Sequence, residues 1–276
     1  YRVFLNVNSV TNSPTMFSRR VFELMACGTP VVSTYAKGIE NLFESDAVWL
    51  VDSQEEADKA LHTLMTDDVE WRRRSLAGIR EVFARHTYAH RLNDIFDRLG
   101  IETKMSTNPF IALVSEAHSL SELEALHVFA NKQSYRHFKL GVVCEPGLVQ
   151  LAGSISKNIT LLQRGQKTSW LEESHASAPC AGWISPQNRY GEHYLRDLAN
   201  ASLYEPDAAG WAKSVEHDCF SYGRQTILSS AIWKMAEFSN QLIKMHFDAA
   251  ILRDDLYIAD HDQFHLASTA RQMVKD

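Results

Sequence analysis

Strand and helix alternate along the chain, and that alternation limits the fold to parallel sheets with covering helices. The clearest unit is SRRVFELMACGTPVVST, residues 18–34. Phe17, Val21, Leu24 and Met25 recur at helical spacing and make one apolar face. Gly28 is placed to end the helix, and Pro30 forbids its continuation. PVVST then reads as a buried strand. Upstream, VFLNV (residues 3–7) is another β-rich run. Ser13 followed by Pro14 predicts a helix start: a hydroxyl to cap unpaired N–H groups, then a proline at the first helical position. The helix is expected to run from Pro14 to about Cys27. KGIENLF turns into a short helix and AVWLV is a third strand. Ser53 and Glu56 form a capping box at the head of the next helix, and residues 69–86 and 88–100 give two more.

Three strands make half of a Rossmann-like domain, and the chain opens on Tyr1 with a strand already under way. A fragment of a longer protein is the expectation. Residues 101–108, IETKMSTN, are polar and aperiodic, which places a linker there between domains at 1–100 and 109–276. A second α/β pattern follows. Residues 109–116 read as a strand, 119–133 as a helix capped by Ser119 with Glu122 closing the box, and 137–145 as a strand. Residues 147–156 read as a helix, 159–163 as a strand and 189–204 as a helix. Residues 222–235 and 256–268 are mixed segments, read as β-rich.

With 276 residues and a net charge of −6, the chain lacks the basic field that a non-specific grip on nucleic acid needs. No apolar run approaches the roughly 20 residues of a membrane span. Cys27, Cys144, Cys180 and Cys219 form no CxxC pair, so reduced thiols in a cytoplasmic protein are expected. No GxGxxG follows a strand, which sets a dinucleotide-binding enzyme aside.

Ligands of open α/β sheets bind at the carboxyl ends of strands, where helix N-termini point. A helix starting near Pro14 offers N–H groups to a phosphate, with Arg19 and Arg20 as cations one turn on. Glu23, deeper in that helix, has a carboxylate able to accept hydrogen bonds from the vicinal hydroxyls of a sugar. The plainer alternative is a solvated helix with a capping serine.

NVNSVTNSPTMFSRRVFELMACGTPVVSTYAKGIENLF resembles the C-terminal half of a GT-B fold glycosyltransferase and is most similar to the CgeB-like (spore-maturation) enzymes, over residues 1–99. The resemblance implies that Glu23 binds the ribose of a nucleotide sugar, that the stretch from Pro14 to Phe17 faces the diphosphate, and that Lys37, Gly38 and Ile39 lie near the donor. The implied donor-binding set is Ser13, Thr15, Arg19, Arg20, Glu23, Gly38 and Ile39. Thr15 stands where many GT-B enzymes carry an earlier glutamate. Such transfer needs no metal, and the base is expected from a domain outside this chain, so no catalytic residue is assigned.

Residues 109–267 resemble a family 2, GT-A fold glycosyltransferase: Gln133 and Tyr135 match its early QxY turn, and GWISPQNRYGEHYLRDLANASLY resembles the segment carrying its Asp-x-Asp motif. In place of the aspartates stand Ser185, Pro186, Gln187 and Asn188. Their oxygens are neutral, whereas Mg²⁺ or Mn²⁺ on a diphosphate needs anionic ones, so neither cofactor is expected. Glu145 and Glu237 stand near the family's nucleotide-contacting and base positions without matching them closely. Asp260, His261, Asp262 and His265 invite a metal reading, but the stretch reads as strand and loop and resembles a structural strand of the family. His62, His86 and His127 read as helix-face residues without a chemical role, and the WRRRS run at residues 71–75 as a solvated basic face. The expectation is an α/β protein: a partial GT-B Rossmann-like domain, then a degenerate GT-A-like domain. The resemblance implies hexose transfer from a nucleotide-diphospho-sugar to a glycan or surface-polymer acceptor. The alternative is a non-catalytic module that binds a glycan or a protein.

Overall fold

The computed structural model describes residues 1–102, 105–151, 157–175, 178–213, 221–240, 242, 245, 249–260 and 264–265. It divides into two compact units, Tyr1–Thr107 and Asn108–Asp276.

In the first unit β1 (Phe4–Asn6), β2 (Val31–Thr34) and β3 (Val48–Val51) form an all-parallel sheet in the order β1-β2-β3. Val31 lies between Phe4 and Val48 in register. Successive residues of β2 enter opposite cores: Val31 joins Val21, Met25, Ile39, Phe43 and Val82, and Val32 joins Val51, Ala60 and Leu64. A strand covered on both faces needs the unbroken apolar run that PVVST shows. Four helices supply the cover, α1 (Arg20–Ala26), α2 (Lys37–Leu42), α3 (Gln54–Thr66) and α4 (Asp68–Arg85), and α5 (Tyr88–Leu99) follows with none of its residues buried. Gly28 ends α1 with φ at 71°, and a Cβ there would sit 3.1 Å from Ser75 Oγ and 3.2 Å from Ile79 Cδ1. That position therefore requires glycine twice over, for backbone hand and for the approach of α4.

The first helix begins at Arg20, not at Pro14. Ser13 Oγ does accept a downstream amide, that of Met16 at 3.1 Å, but the bond closes a local turn instead of capping a helix. Serine hydroxyls offer the backbone this alternative, and here it wins. The chain then runs irregularly to seat Phe17 against Phe22 and Phe43, with ring centroids 5.4 and 5.5 Å away.

The second unit has an eight-stranded mixed sheet. Its elements are β4 (Ile111–Ala117), α6 (Leu120–Lys132), β5 (Phe138–Cys144), α7 (Pro146–Leu151), β6 (Ile159–Leu162), α8 (Lys167–His175) and β7 (Cys180–Trp183). There follow β8 (Arg189–Tyr190), α9 (Tyr194–Tyr204), β9 (Gly210–Lys213), β10 (Ser221–Ile227), β11 (Ala231–Lys234), α10 (Met235–Asn240), β12 (Ala250–Asp260) and β13 (Phe264–His265). The order is β10-β12-β9-β11-β7-β4-β5-β6. Strands β7, β4, β5 and β6 are mutually parallel, and β11 runs antiparallel to both β7 and β9. From β4 the chain steps to β5 and β6 on one side, then crosses to β7 on the other. The switch point of the sheet lies between β4 and β7.

Residues 189–204 are not one helix. Arg189 and Tyr190 pair with His265 and Phe264, and α9 starts only at Tyr194. The partner strand lies some seventy residues downstream, so nothing local marks β8. The helix read at residues 147–156 is seen as α7, with residues 152–156 outside the described residues. Gln133 ties its turn to α9, donating to Gly191 O at 2.8 Å and accepting from Leu195 N at 3.1 Å. Tyr135, fully buried, donates its hydroxyl to Pro109 O, and burial raises its pKa.

Candidate functional site

At the carboxyl edge of the first sheet, Asn6, Asn8, Ser33 and Thr34 bond to one another. Asn8 Nδ2 donates to Ser33 Oγ at 2.9 Å and to Thr34 O at 2.8 Å, and its amide donates to Thr34 Oγ1 at 2.9 Å. This network fixes where the loop after β1 leaves the sheet. The loop returns across α2: Lys37 N donates to Thr11 O at 2.9 Å and Asn41 Nδ2 to Pro14 O at 3.4 Å. A Cβ on Gly38 would meet Phe17 Cδ1 at 3.0 Å, Thr15 C at 3.1 Å and Met16 N at 3.2 Å. The structure thus brings Ser13, Thr15 and Gly38 together. Ile39 is at the same place in the chain, but its side chain is 1% exposed in the core and its amide is bonded to Ala36 O.

Arg19 and Glu23 form an exposed ion pair, Nε to Oε1 at 2.9 Å. Because α1 starts late, Glu23 sits in its first turn. Arg20 diverges from this pair, with its guanidinium 5.7 Å above the Phe4 ring. Arg19 and Glu23 line a cavity of about 400 Å³ along the flank of α1. Its far wall is the corner where α4 passes into α5, and it includes Val82, His86, Tyr88 and Arg91. Close packing of Gly78 on Met25 and of His86 on Phe22 runs α4 antiparallel to α1 and brings this corner to the head of α1.

The corner is built on buried polar groups. The His86 side chain is 5% exposed and Glu81 7%. His86 packs edge-on against Phe22 and Phe43, at 5.5 and 5.3 Å between centroids. Arg91 Nη2 bonds to His86 Nδ1 at 2.8 Å, and His86 Nε2 to Glu81 Oε1 at 3.1 Å. A guanidinium only donates, so Nδ1 accepts and the proton resides on Nε2, donated to Glu81. Burial works to raise the Glu81 carboxyl, but hydrogen bonds from His86 and Arg85 and the Arg85 charge outweigh it and hold the group below its ordinary value. His90 is pushed down chiefly by burial.

In the second unit Ser185, Gln187 and Asn188 follow β7 at the switch point. Ser185 Oγ donates to Gln187 Oε1 at 2.8 Å, and Gln187 Nε2 donates to Glu122 Oε1 at 3.0 Å. Glu122 Oε2 accepts the His118 amide at 2.7 Å at the head of α6, and Asn188 Nδ2 donates to Ser229 Oγ at 3.1 Å. Nearby, Lys167 pairs with Glu116 at 3.2 Å and lies 4.3 Å over the Trp183 ring. Glu237 is engaged by Arg253 at 2.7 Å, and Glu145 is exposed. His265 lies on β13, while His261 and Asp262 lie outside the described residues. Among the described residues no three His, Cys, Asp or Glu side chains are grouped to hold a metal ion. Burial pushes the Cys180 thiol up to about 12. Cys144 is raised too, and Cys219 lies outside the described residues.

Sequence reasoning missed the wall formed by residues 82–91. Its one signal was the break between the helices read at 69–86 and 88–100, which puts His86, Tyr88 and Arg91 at a corner.

Among the described residues no helix is long and apolar enough to cross a membrane. No curated protein matches the chain. Residues 1–97 match the family model described as Glycosyl transferase-like. That span takes in the parallel sheet, the Ser13–Thr15–Gly38 contact and every residue of the cavity named above, so the part of the chain that holds the candidate site is the part that is similar to glycosyltransferases.

Proposed function

We propose that the first unit binds a nucleotide-diphospho-sugar, in the manner of the GT-B, CgeB-like enzymes it resembles, and serves hexose transfer to a glycan or surface-polymer acceptor. The observation that carries this reading is the Arg19–Glu23 pair opening on a cavity inside the glycosyltransferase-like match. Glu23 Oε1 is taken by Arg19, which leaves Oε2 to accept from the cis hydroxyls of a ribose. The loop carrying Ser13 and Thr15 lies at the carboxyl edge of the sheet, where an α/β fold receives its ligands. In the transfer step the acceptor hydroxyl attacks the anomeric carbon, its proton passes to a general base supplied from outside this chain, and the diphosphate leaves with the bonding electrons. Guanidinium groups stabilise the charge that develops on the leaving oxygen, the work a divalent metal does elsewhere. Reduced, buried thiols at Cys144 and Cys180 support a cytoplasmic setting.

The second unit supports a different role. Its switch point is occupied by the Ser185–Gln187–Glu122 network, in which each oxygen of the Glu122 carboxylate accepts a bond from within the unit. We read it as a degenerate GT-A-like module that holds a glycan or a protein. Titration calorimetry of UDP and GDP with and without Mn²⁺ tests both readings together. Binding that ignores Mn²⁺ and is lost in Glu23→Ala is the expected result. Binding that requires Mn²⁺ and survives Glu23→Ala overturns it.

A further inference from the structure

The Glu81–His86–Arg91 chain demands an explanation. Burying a carboxylate and an imidazole among aromatic rings costs free energy unless both are fully bonded. Here the carboxylate is met by His86 and by Arg85 at 2.7 Å, and the imidazole by Glu81 on one nitrogen and Arg91 on the other. The chain ends at the cavity mouth: Arg91 is 43% exposed and lines the cavity that Arg19 and Glu23 share. Tyr88, one turn before Arg91 on α5, lines it too and is 76% exposed. Arg19 is paired with Glu23 and Arg91 with Asp94, but each guanidinium carries five N–H donors and these bonds use only part of them, and most of the remaining lining is apolar or aromatic. A ligand suited to it carries a compact anion beside a flat apolar surface.

We propose that Arg91, oriented by the buried Glu81–His86 pair, binds the diphosphate of a nucleoside diphosphate seated in this cavity, and that Tyr88 takes the base on its ring. The inference rests on the donor-site reading above and assigns that site a second wall. His86 acts as a positioning residue. It is neutral, presents only an acceptor to Arg91, and so fixes one nitrogen of the guanidinium while Nη1, 3.5 Å from Asp94, stays at the mouth. A charge-assisted bond to phosphate is worth roughly a tenfold to hundredfold change in affinity.

Calorimetry on the full chain with three probes, UDP, uridine and inorganic pyrophosphate, separates the parts. Arg91→Gln is expected to weaken UDP and pyrophosphate at least about tenfold and to lower the melting temperature modestly through the lost bond to His86. Tyr88→Ala weakens UDP and spares pyrophosphate. His86→Gln, whose amide can accept from Arg91 and donate to Glu81, keeps affinity within a few-fold, whereas His86→Leu loses as much as Arg91→Gln. A purely structural corner would lower stability in both His86 variants and leave affinity unmoved in the folded protein. If UDP binds, needs Glu23 and is indifferent to Arg91→Gln, the inference fails and the donor reading stands. If UDP does not bind but pyrophosphate binds and needs Arg91, the donor reading fails and the anion site stands. If neither binds, both fail.

Discussion

Gly38→Ala gives a sharp test of how the donor loop is seated, because local and tertiary effects predict opposite signs. Gly38 is the second residue of α2, where alanine is favoured over glycine by at most about 1 kcal/mol. Propensity alone therefore predicts a stabler unit. The structure predicts the reverse. The added Cβ would lie 3.0 Å from the Phe17 ring, 3.1 Å from Thr15 C and 3.2 Å from Met16 N. Two of these three neighbours are backbone atoms and cannot rotate away. The Phe17 ring is itself held against Phe22 and Phe43. Relief requires residues 15–17 to move as a segment, by a few tenths of an ångström, away from α2. Overpacking of this kind costs about 1–3 kcal/mol. Set against the propensity gain, the net is a loss of about 1 kcal/mol, a roughly fivefold change in the opening equilibrium. Amide hydrogen exchange of β2, read by mass spectrometry on the full chain, reports the first unit without interference from the second. Protection of residues 31–34 is expected to fall about fivefold, and UDP affinity to fall with it because Ser13 and Thr15 move. Unchanged or increased protection would refute the close approach of the loop, and with it the grouping of Ser13, Thr15 and Gly38.

Other perturbations test the remaining parts. Glu23→Gln keeps the shape but removes the charge, and it should weaken uridine binding while pyrophosphate binds at least as tightly, because Arg19 loses its counter-charge, as calorimetry would show. Glu70, bonded by Arg73 and Arg74, has its pKa lowered from 4.5 to about 2, and Glu81 is lowered as well. A depressed folded pKa contributes stability above the unfolded value that is lost as the pH falls towards the folded one. Glu70→Gln should therefore lower the melting temperature at pH 7 and make no difference near pH 2. Lys213 and Asp197 form a pair at 2.7 Å that is 0% and 5% exposed, so Lys213→Met, which removes one partner of a buried ion pair, should cost about 3–5 kcal/mol in urea unfolding of the second unit. Asp197→Leu in the same chain should recover part of that loss.

What the sequence shows well is what depends on near neighbours. Ser53 accepts the Glu56 amide at 3.1 Å and Ser119 the Glu122 amide at 3.3 Å, as their spacing requires. Gly28 takes the left-handed conformation a helix stop demands. The Ser13–Pro14 helix start failed although its local chemistry was right. Ser13 does capture an amide three residues on, but a helix there would carry Phe17 away from Phe22 and Phe43, and the aromatic contact decides. The wall of residues 82–91 was illegible for a related reason. It exists because Gly78 lets α4 pack on Met25, a contact between residues more than fifty apart. His86 has the residue type of an idle helix histidine and becomes a bonded bridge only when Arg91 folds back across the α4–α5 break.

Charge balance explains why the site needs that second wall. Arg19 and Glu23 neutralise each other and Arg20 turns away over the Phe4 ring, so α1 brings little net positive charge to a diphosphate. A donor site built on α1 alone would thus recognise a ribose and hold the group attached to it only weakly. Arg91 adds N–H donors from the opposite wall. His86 takes Nη2 and Asp94 stands 3.5 Å from Nη1, while Glu81, the buried anion behind them, is answered by Arg85. The fold keeps Glu23 for hydroxyls and places an additional cation across the cavity for phosphate, which divides between two helices a task that one ion pair could not perform.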